Sequence, residues 1–539
     1  MSNPVVAFTN ARVFDGSTYR GGGAGIVVVE GDRIVGVGVD DVPHGAEVVD
    51  VAGGLLAPGF IDAHVHPVMG GMERLRCDLS TSDSDEASYL GVIARYADAH
   101  PDVPWIQGGG WALAAFPGGL PTAGSLDRVV PDRPVAIVNR DHHGLWVNSR
   151  ALQVAGIDRS TADPPDGRIE RDAEGNPTGV LHEGAMRLMA AVEPVATEQE
   201  MYDGLLTGQD YLLSLGITGW QDAIVGSYAG VADIGPIYAR AAREGALIAD
   251  VVGALWWQRD RGPEQVPELV ARREQLSHGR FRATSVKVMQ DGIAENGTAA
   301  LVEPYLDRCG NHTDNRGISF VDPAALRTYV AELDALGFQV HVHGLGDRGV
   351  REALDAFEGT DPARRHHIAH LQLVHPDDVP RFASLGVAAN VQALWACLDD
   401  QMTELTIPFL GAERAGRQYP FGDLHRTGAR MVAGSDWPVS TPNPLEAIHV
   451  AVHRTAYGEP GRAGHEPFLP EQALSLEVAF AAYTSGSAWV NHRDDAGRIE
   501  PGAVADLVVL DRDPFQDPSS IGATRVVSTW VGGRAVHQT

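Results

Sequence analysis

The sequence predicts an α/β protein: a (β/α)8 TIM-like barrel carrying a small β-sandwich built from the two chain ends. Two patterns carry this. Through the middle of the chain, apolar strand-like runs alternate with longer helix-like stretches, the signature of βα units on a parallel sheet. At both ends, short valine-rich runs alternate with turns, as in hairpins. Sheet edges need partners and chain termini tend to lie close together, so the two ends are expected to pair. The division is then residues 1–57 with 497–539 as a composite β domain, and 58–496 as the barrel.

In order, the N-terminal strands are Val5–Phe8, Gly25–Val29 and Arg33–Gly38, and the C-terminal ones are Ala505–Leu510 and Arg525–Val531. The barrel strands, each ending in polar residues, are read as Phe60–His66, Trp105–Gly109, Val135–Asn139, Ile217–Gln221, Val286–Asp291, Gln339–His343, Ile368–Gln372 and Met431–Asp436. One further run, Ile248–Leu255, is left over. In such barrels the chemistry sits where strands end and loops begin. Residues 69–104 and 155–214 are too long for simple βα loops, which predicts inserted helices or hairpins covering the barrel mouth.

Composition narrows the partners. A formal charge of −29 disfavours nucleic acid and anionic lipid, since phosphate contact needs a basic face. No segment is apolar over a bilayer's width, and no basic, signal-like start follows Met1 to Pro4, so a cytoplasmic protein with a small-molecule substrate is expected. Cys77, Cys309 and Cys397 lie far apart, which gives neither a disulfide framework nor a zinc ribbon.

Lys287 is the only lysine among 42 lysines and arginines. Elsewhere guanidinium meets every need for positive charge, so the surviving amine points to chemistry that arginine cannot perform. Burial moves a lysine pKa readily, and the neutral amine is a nucleophile. It can add carbon dioxide to become a carbamate, a carboxylate-like anion able to bridge two metal ions. Its flanks, Val286, Val288 and Met289, read as an interior strand, where a lysine must be paired, neutral or metal-bound.

The histidines fall on similar strand ends. His64 and His66, two apart, face the same side of a strand and can chelate one divalent ion; zinc suits such nitrogen and oxygen donors. In Gln339–Asp347, His343 lies nearest the loop and is favoured as a ligand, while His341, one pleat deeper, reads as a supporting or packed residue. His370 ends the next run; His366 and His367 precede it and read as solvated. Asp436 closes the last strand. His64, His66, Lys287, His343, His370 and Asp436 thus follow one another on successive strand ends.

On these motifs the chain resembles the amidohydrolase superfamily, and more narrowly its long metal-dependent hydrolases, which include N-substituted formamide deformylases. The likeness runs from Ala57–His66 through Ala433–Pro438 to the return segment Gly497–Leu510. The resemblance implies that His64, His66 and Asp436 hold a first metal and His343 and His370 a second, with a carbamylated Lys287 bridging two zinc ions. Where the family has His-Ala-Ile-Gly-Asp, this chain has His343-Gly344-Leu345-Gly346-Asp347, which keeps the ligand. The subgroup's Asp-Gly-His segment corresponds to Asp141-His142-His143, with His142 in place of glycine. A homodimer is a further implication.

The expected reaction is hydrolysis of a C–N amide-type bond, in an N-acyl, N-formyl or cyclic amide. Asp436 would act as base and then acid, and His143 as donor to the developing oxyanion. Trp111 and Asp291 are candidate substrate contacts. Trp256, Trp257 and Trp395 hint at an apolar or aromatic leaving group. Ester, lactone or phosphoester hydrolysis on the same ligands is the nearest alternative, and a non-catalytic metal-binding regulatory protein a more distant one. A deaminase fits less well, because His370 is followed by Leu371-Gln372-Leu373 with no glutamate at the required spacing.

Overall fold

The structure, a computed structural model, describes residues 4–21, 25–80, 82–140, 142–228, 232–458 and 466–539. Its centre is an eight-stranded, wholly parallel sheet. The strands are β1 (Phe60–Val65), β2 (Ile217–Val225), β3 (Asp250–Trp256), β4 (Phe281–Met289), β5 (Gln339–Gly344), β6 (His367–His370), β7 (Ala388–Val391) and β8 (Met431–Ala433). They lie side by side in chain order. Past the end of β8, Asp436 N–H donates to His64 O at 2.7 Å and His66 N–H to Trp437 O at 2.8 Å, which ties the last strand back to the first. The sheet is thereby nearly closed as a TIM-like barrel.

Two expected barrel strands belong elsewhere. Ile106–Trp111 and Val135–Asn139 are two of the four inner strands of a separate six-stranded sheet running from Cys77–Asp78 to Gly167–Arg171. Their places in the barrel fall to β3, the run left over, and to β7, which the sequence reading missed. A buried apolar run shows that it is a strand and not which sheet it joins. β7 is only four residues long, with Asn390 inside it, so it offers too little periodicity to stand out.

The extra sheet also joins what the sequence divided. Residues 76–196 form one insertion between β1 and β2, with two apolar cores of its own around Trp146 and Leu181. Glu198–Ser214, expected in a lid, is instead a barrel helix laid on Pro67–Leu75. Its start is a capping box, with Glu200 N–H donating to Thr197 Oγ1 and Thr197 N–H to Glu200 Oε2. Gly71 faces Gly204 and Gly208 so closely that an added Cβ would overlap the Gly204 carbonyl.

The chain ends share two sheets. Val5–Thr9, Ile26–Glu30, Arg33–Val39 and Glu47–Asp50 make one; Leu507–Leu510, Val526–Val531 and Arg534–Gln538 join Leu55–Pro58, Arg12–Phe14 and Tyr19–Arg20 in the other. Side chains from both ends, among them Phe8, Val27, Leu56, Val509 and Trp530, form the core of this β-sandwich. Among the described residues no helix is long and apolar enough to cross a membrane.

Candidate metal centre

β1 runs apolar through Phe60 and Ile61, then delivers His64 inside the barrel mouth and His66 just past the strand. Asp62, one pleat below His64, fixes this turn of chain by accepting the N–H groups of His64 and Ser435. Gly434 is required beside it, because a Cβ there would stand 2.6 Å from His64 Cβ. Asp436 therefore reaches His64 and His66: its Oδ1 lies 3.2 Å from His64 Nε2 and 3.0 Å from His66 Nε2. His370 comes from β6, with Nδ1 3.9 Å from Asp436 Oδ2. Both His370 and Asp436 hold left-handed backbone, φ 82° and 57°, a strain typical of functional sites.

The donor atoms of His64, His370 and Asp436 lie within 4.8 Å of one another, all buried. This trio takes one residue from the pair expected around a second ion. His343 stands beside it, its ring 4.3 Å from that of His370. Lys287 lies on β4 in register with His341, its Nζ 3.4 Å from His341 Nε2. All six sequence candidates for ligands thus meet at one end of the barrel.

A polar chain beneath the site sets the tautomer of His64. Gln221 Nε2 donates to Gln339 and Asn491, so its Oε1 accepts from His341 Nδ1 at 2.7 Å and from His367 Nε2 at 3.0 Å. His341 Nε2 then carries a lone pair and accepts from His64 Nδ1 at 2.9 Å. This assignment leaves the lone pair of His64 Nε2 pointed at the Asp436 carboxylate. Two electron-rich atoms at that separation repel unless a cation lies with them. His370 agrees: it is 1 % exposed and, among the described residues, neither ring nitrogen has a hydrogen-bond partner. The imidazole and carboxylate donors fit a divalent ion of the zinc class.

Electrostatics prepare the same state. Burial, with Lys287 behind it, drives the His64 imidazole down to about 3. Burial likewise holds His341 and His370 well below the usual range, so these rings are neutral. For Asp436 burial acts in the raising direction and the histidines around it, His64 first, in the lowering one; with those rings neutral, a cation shared with them would be what keeps the carboxyl ionised. Burial lowers Lys287 to about 7 against the opposing pull of Asp436.

The ligand ends open into a cleft of about 470 Å³ walled by His143, His343, His370, Trp395, Tyr419 and Asp436. His143 is held by Glu183, whose Oε1 lies 2.7 Å from its Nδ1 and also accepts from Asn296 Nδ2 at 3.1 Å. Glu183 takes φ 50° to do this. The sequence reading missed Glu183 because it lies at the far end of the insertion, forty residues from its partner.

Several expectations are corrected. Trp111 is fully buried in the insertion, where its Nε1 donates to Ile137 O and its ring packs on Phe116 and Trp146; it is not on the cleft wall. Asp291 is equally buried and accepts the N–H groups of Ala300, Leu345 and Gly346, 3.4 Å from His343 Nδ1. It positions the His343 loop and is out of reach of substrate. Trp395 lines the cleft, stacked on His370, whereas Trp256 and Trp257 pack against Tyr228 and Tyr329. His366 and His367 are buried rather than solvated, bonded to Asp334 and Gln221. Alternation in a strand that is buried on both faces does not mark its wet end.

Residues 47–537 match the profile of a family described as the amidohydrolase family. The chain belongs to it. This amidohydrolase is 29% identical to the putative amidohydrolase YtcJ of Bacillus subtilis (strain 168), over 96% of this chain and 99% of that one. It is 27% identical to the N-substituted formamide deformylase of Arthrobacter pascens, over 99% and 98% of the two chains. Among solved structures, an uncharacterized metal-dependent hydrolase from Pyrococcus furiosus superposes with a TM-score of 0.70 at 26% identity, covering 95% of this chain and 99% of that one.

Proposed function

We propose that this amidohydrolase cleaves the C–N bond of a small N-acyl, N-formyl or cyclic amide. His64, His66, His343, His370, Asp436 and a carbamylated Lys287 would hold its divalent ions, two zinc ions by preference. One observation carries the reading: an ionised Asp436 reaches the histidine cluster and faces the same cleft as His143. End-to-end likeness to an N-substituted formamide deformylase supports the amide class. A divalent cation in such a donor set acidifies water toward a pKa of about 7 and draws charge from a carbonyl oxygen.

The protein's own groups do the rest. Lys287, made partly neutral by burial, adds carbon dioxide through its nitrogen and releases one proton, which turns an amine into an anionic donor. Gln221 and His341 keep His64 in one tautomer, so its Nε2 stays available. Asp436 accepts a proton from the attacking water and returns it to the nitrogen as the C–N bond breaks, giving a carboxylic acid and an amine. That second transfer separates amides from esters, because an amine leaves poorly unless protonated. His143, its Nδ1–H held on the Glu183 carboxylate, would in its protonated form donate Nε2–H to the carbonyl oxygen as charge gathers there. Trp395 supplies an apolar wall.

A panel of formanilide, N-acetylanilide, a cyclic imide, a carboxylic ester, a lactone and a phosphotriester, assayed with zinc-loaded protein, tests this. Amide or imide turnover well above ester and phosphotriester turnover is expected. The reverse order would overturn the amide reading, and no turnover on any of them would favour a non-catalytic role.

A further inference from the structure

A second cavity, about 170 Å³, shares no lining residue with the open cleft. It lies in the seam between the barrel and the insertion. Met69 and Met72, from the helix after β1, form one wall and Met186 and Leu145 of the insertion another. A smaller space of about 20 Å³ shares Met69, Met72 and Tyr228 with it and has His66 on its wall. The seam cavity therefore backs onto the metal centre.

Among the described residues, two buried polar atoms on its wall make no hydrogen bond. They are Glu73 Oε1 and His142 Nε2, which face each other at ion-pair distance, 3.3 Å, without hydrogen-bond geometry. The protein makes room for both. Gly109 lies under the carboxyl, where a Cβ would come within 2.7 Å of Glu73 Cδ, and His142 adopts φ 63° beside His143. Burial raises Glu73 to about 8 and lowers His142 to about 3, so near neutral pH both are mainly uncharged. Buried polar atoms that make no hydrogen bond are costly unless a ligand or water completes them. Methionine walls adapt to ligand shape.

We propose that this cavity is a second binding site, taking an uncharged arylamine whose N–H bonds to Glu73 Oε1 and whose ring lies among the methionines. An arylamine is the amine that the proposed reaction would release from an N-aryl amide, so the inference rests on that reading for the ligand's source. The binding itself does not depend on it.

Calorimetric titration of the zinc-loaded full chain with aniline and with toluene, its apolar counterpart, tests the site. Aniline is expected to bind about tenfold tighter than toluene, the worth of one good buried hydrogen bond. Glu73→Leu should remove that preference, and Ala190→Phe, which fills the cavity from a half-buried wall position, should abolish binding of both. Equal affinity for the two ligands, no binding of aniline, or unchanged binding in folded Ala190→Phe would each overturn the proposal. Formanilide turnover in the same preparations keeps the readings apart. Turnover without the aniline site sinks this inference alone, and aniline binding without amide turnover sinks the amide reading alone.

Discussion

Lys287 draws its value from being an amine where the chain's other strongly basic side chains are all guanidinium groups. Lys287→Arg keeps the charge and loses the nucleophile, so metal content measured by plasma emission should fall with activity, by about 100-fold or more. Lys287→Ala should fall as far and recover in part with acetate or propionate, which can occupy the carbamate's place. Full activity of the arginine variant would refute the carbamate. Glu183 can be separated from a merely structural role. Glu183→Gln keeps the shape and weakens the bond that orients His143, so kcat should drop about 10- to 100-fold at nearly constant KM. A loss confined to KM would place His143 outside the reaction. At this scale the ligand candidates were legible because strand ends carry their side chains in chain order. Gln221, Glu183 and the burial of His367 were not, because each depends on a partner more than thirty residues away.

At the level of elements, the closing contact between β8 and β1 is the most demanding. Gly434 packs on the backbone of His64, and a methyl group there must push one strand from the other. Gly434→Ala should cost about 1–3 kcal/mol in urea unfolding and lower zinc affinity together, since the displaced strand carries Asp436. Loss of stability with metal affinity intact would show that the ligands are held independently of closure. The placing of Trp105–Gly109 and Val135–Asn139 in the barrel has the same origin as the omission of β7. Hydrophobic pattern identifies a buried strand, and its neighbours are chosen by packing.

For the whole molecule, the seam between insertion and barrel has a measurable electrostatic signature. Burial raises Glu73 from 4.5 to about 8, with Asp78 adding to the rise, Arg76 opposing it and His142 facing it uncharged. A carboxyl whose folded pKa exceeds its unfolded one stabilises fully below about 4.5 and loses that contribution as pH climbs through about 8. Glu73→Gln is neutral at every pH, so its stability relative to the parent should rise between pH 4.5 and 8 and then level off. Urea midpoints across that range report it, and a flat difference would mean that Glu73 is already ionised and solvated. The same seam explains why two lid segments became one insertion: a sheet of its own lets residues 76–196 fold around their own cores.

Local pattern and residue type were enough to indicate a parallel barrel, the pairing of the chain ends and the candidate ligands that gather at the barrel's mouth. Alternation, turn residues and a solitary lysine are all written within a few neighbours along the chain. Tertiary structure alone decided which strands closed the barrel, which histidine nitrogen faces Asp436 and where the second cavity lies. Each of these depends on hydrogen bonds and packing between residues distant in sequence, whose free energies exist only once the chain has brought them together.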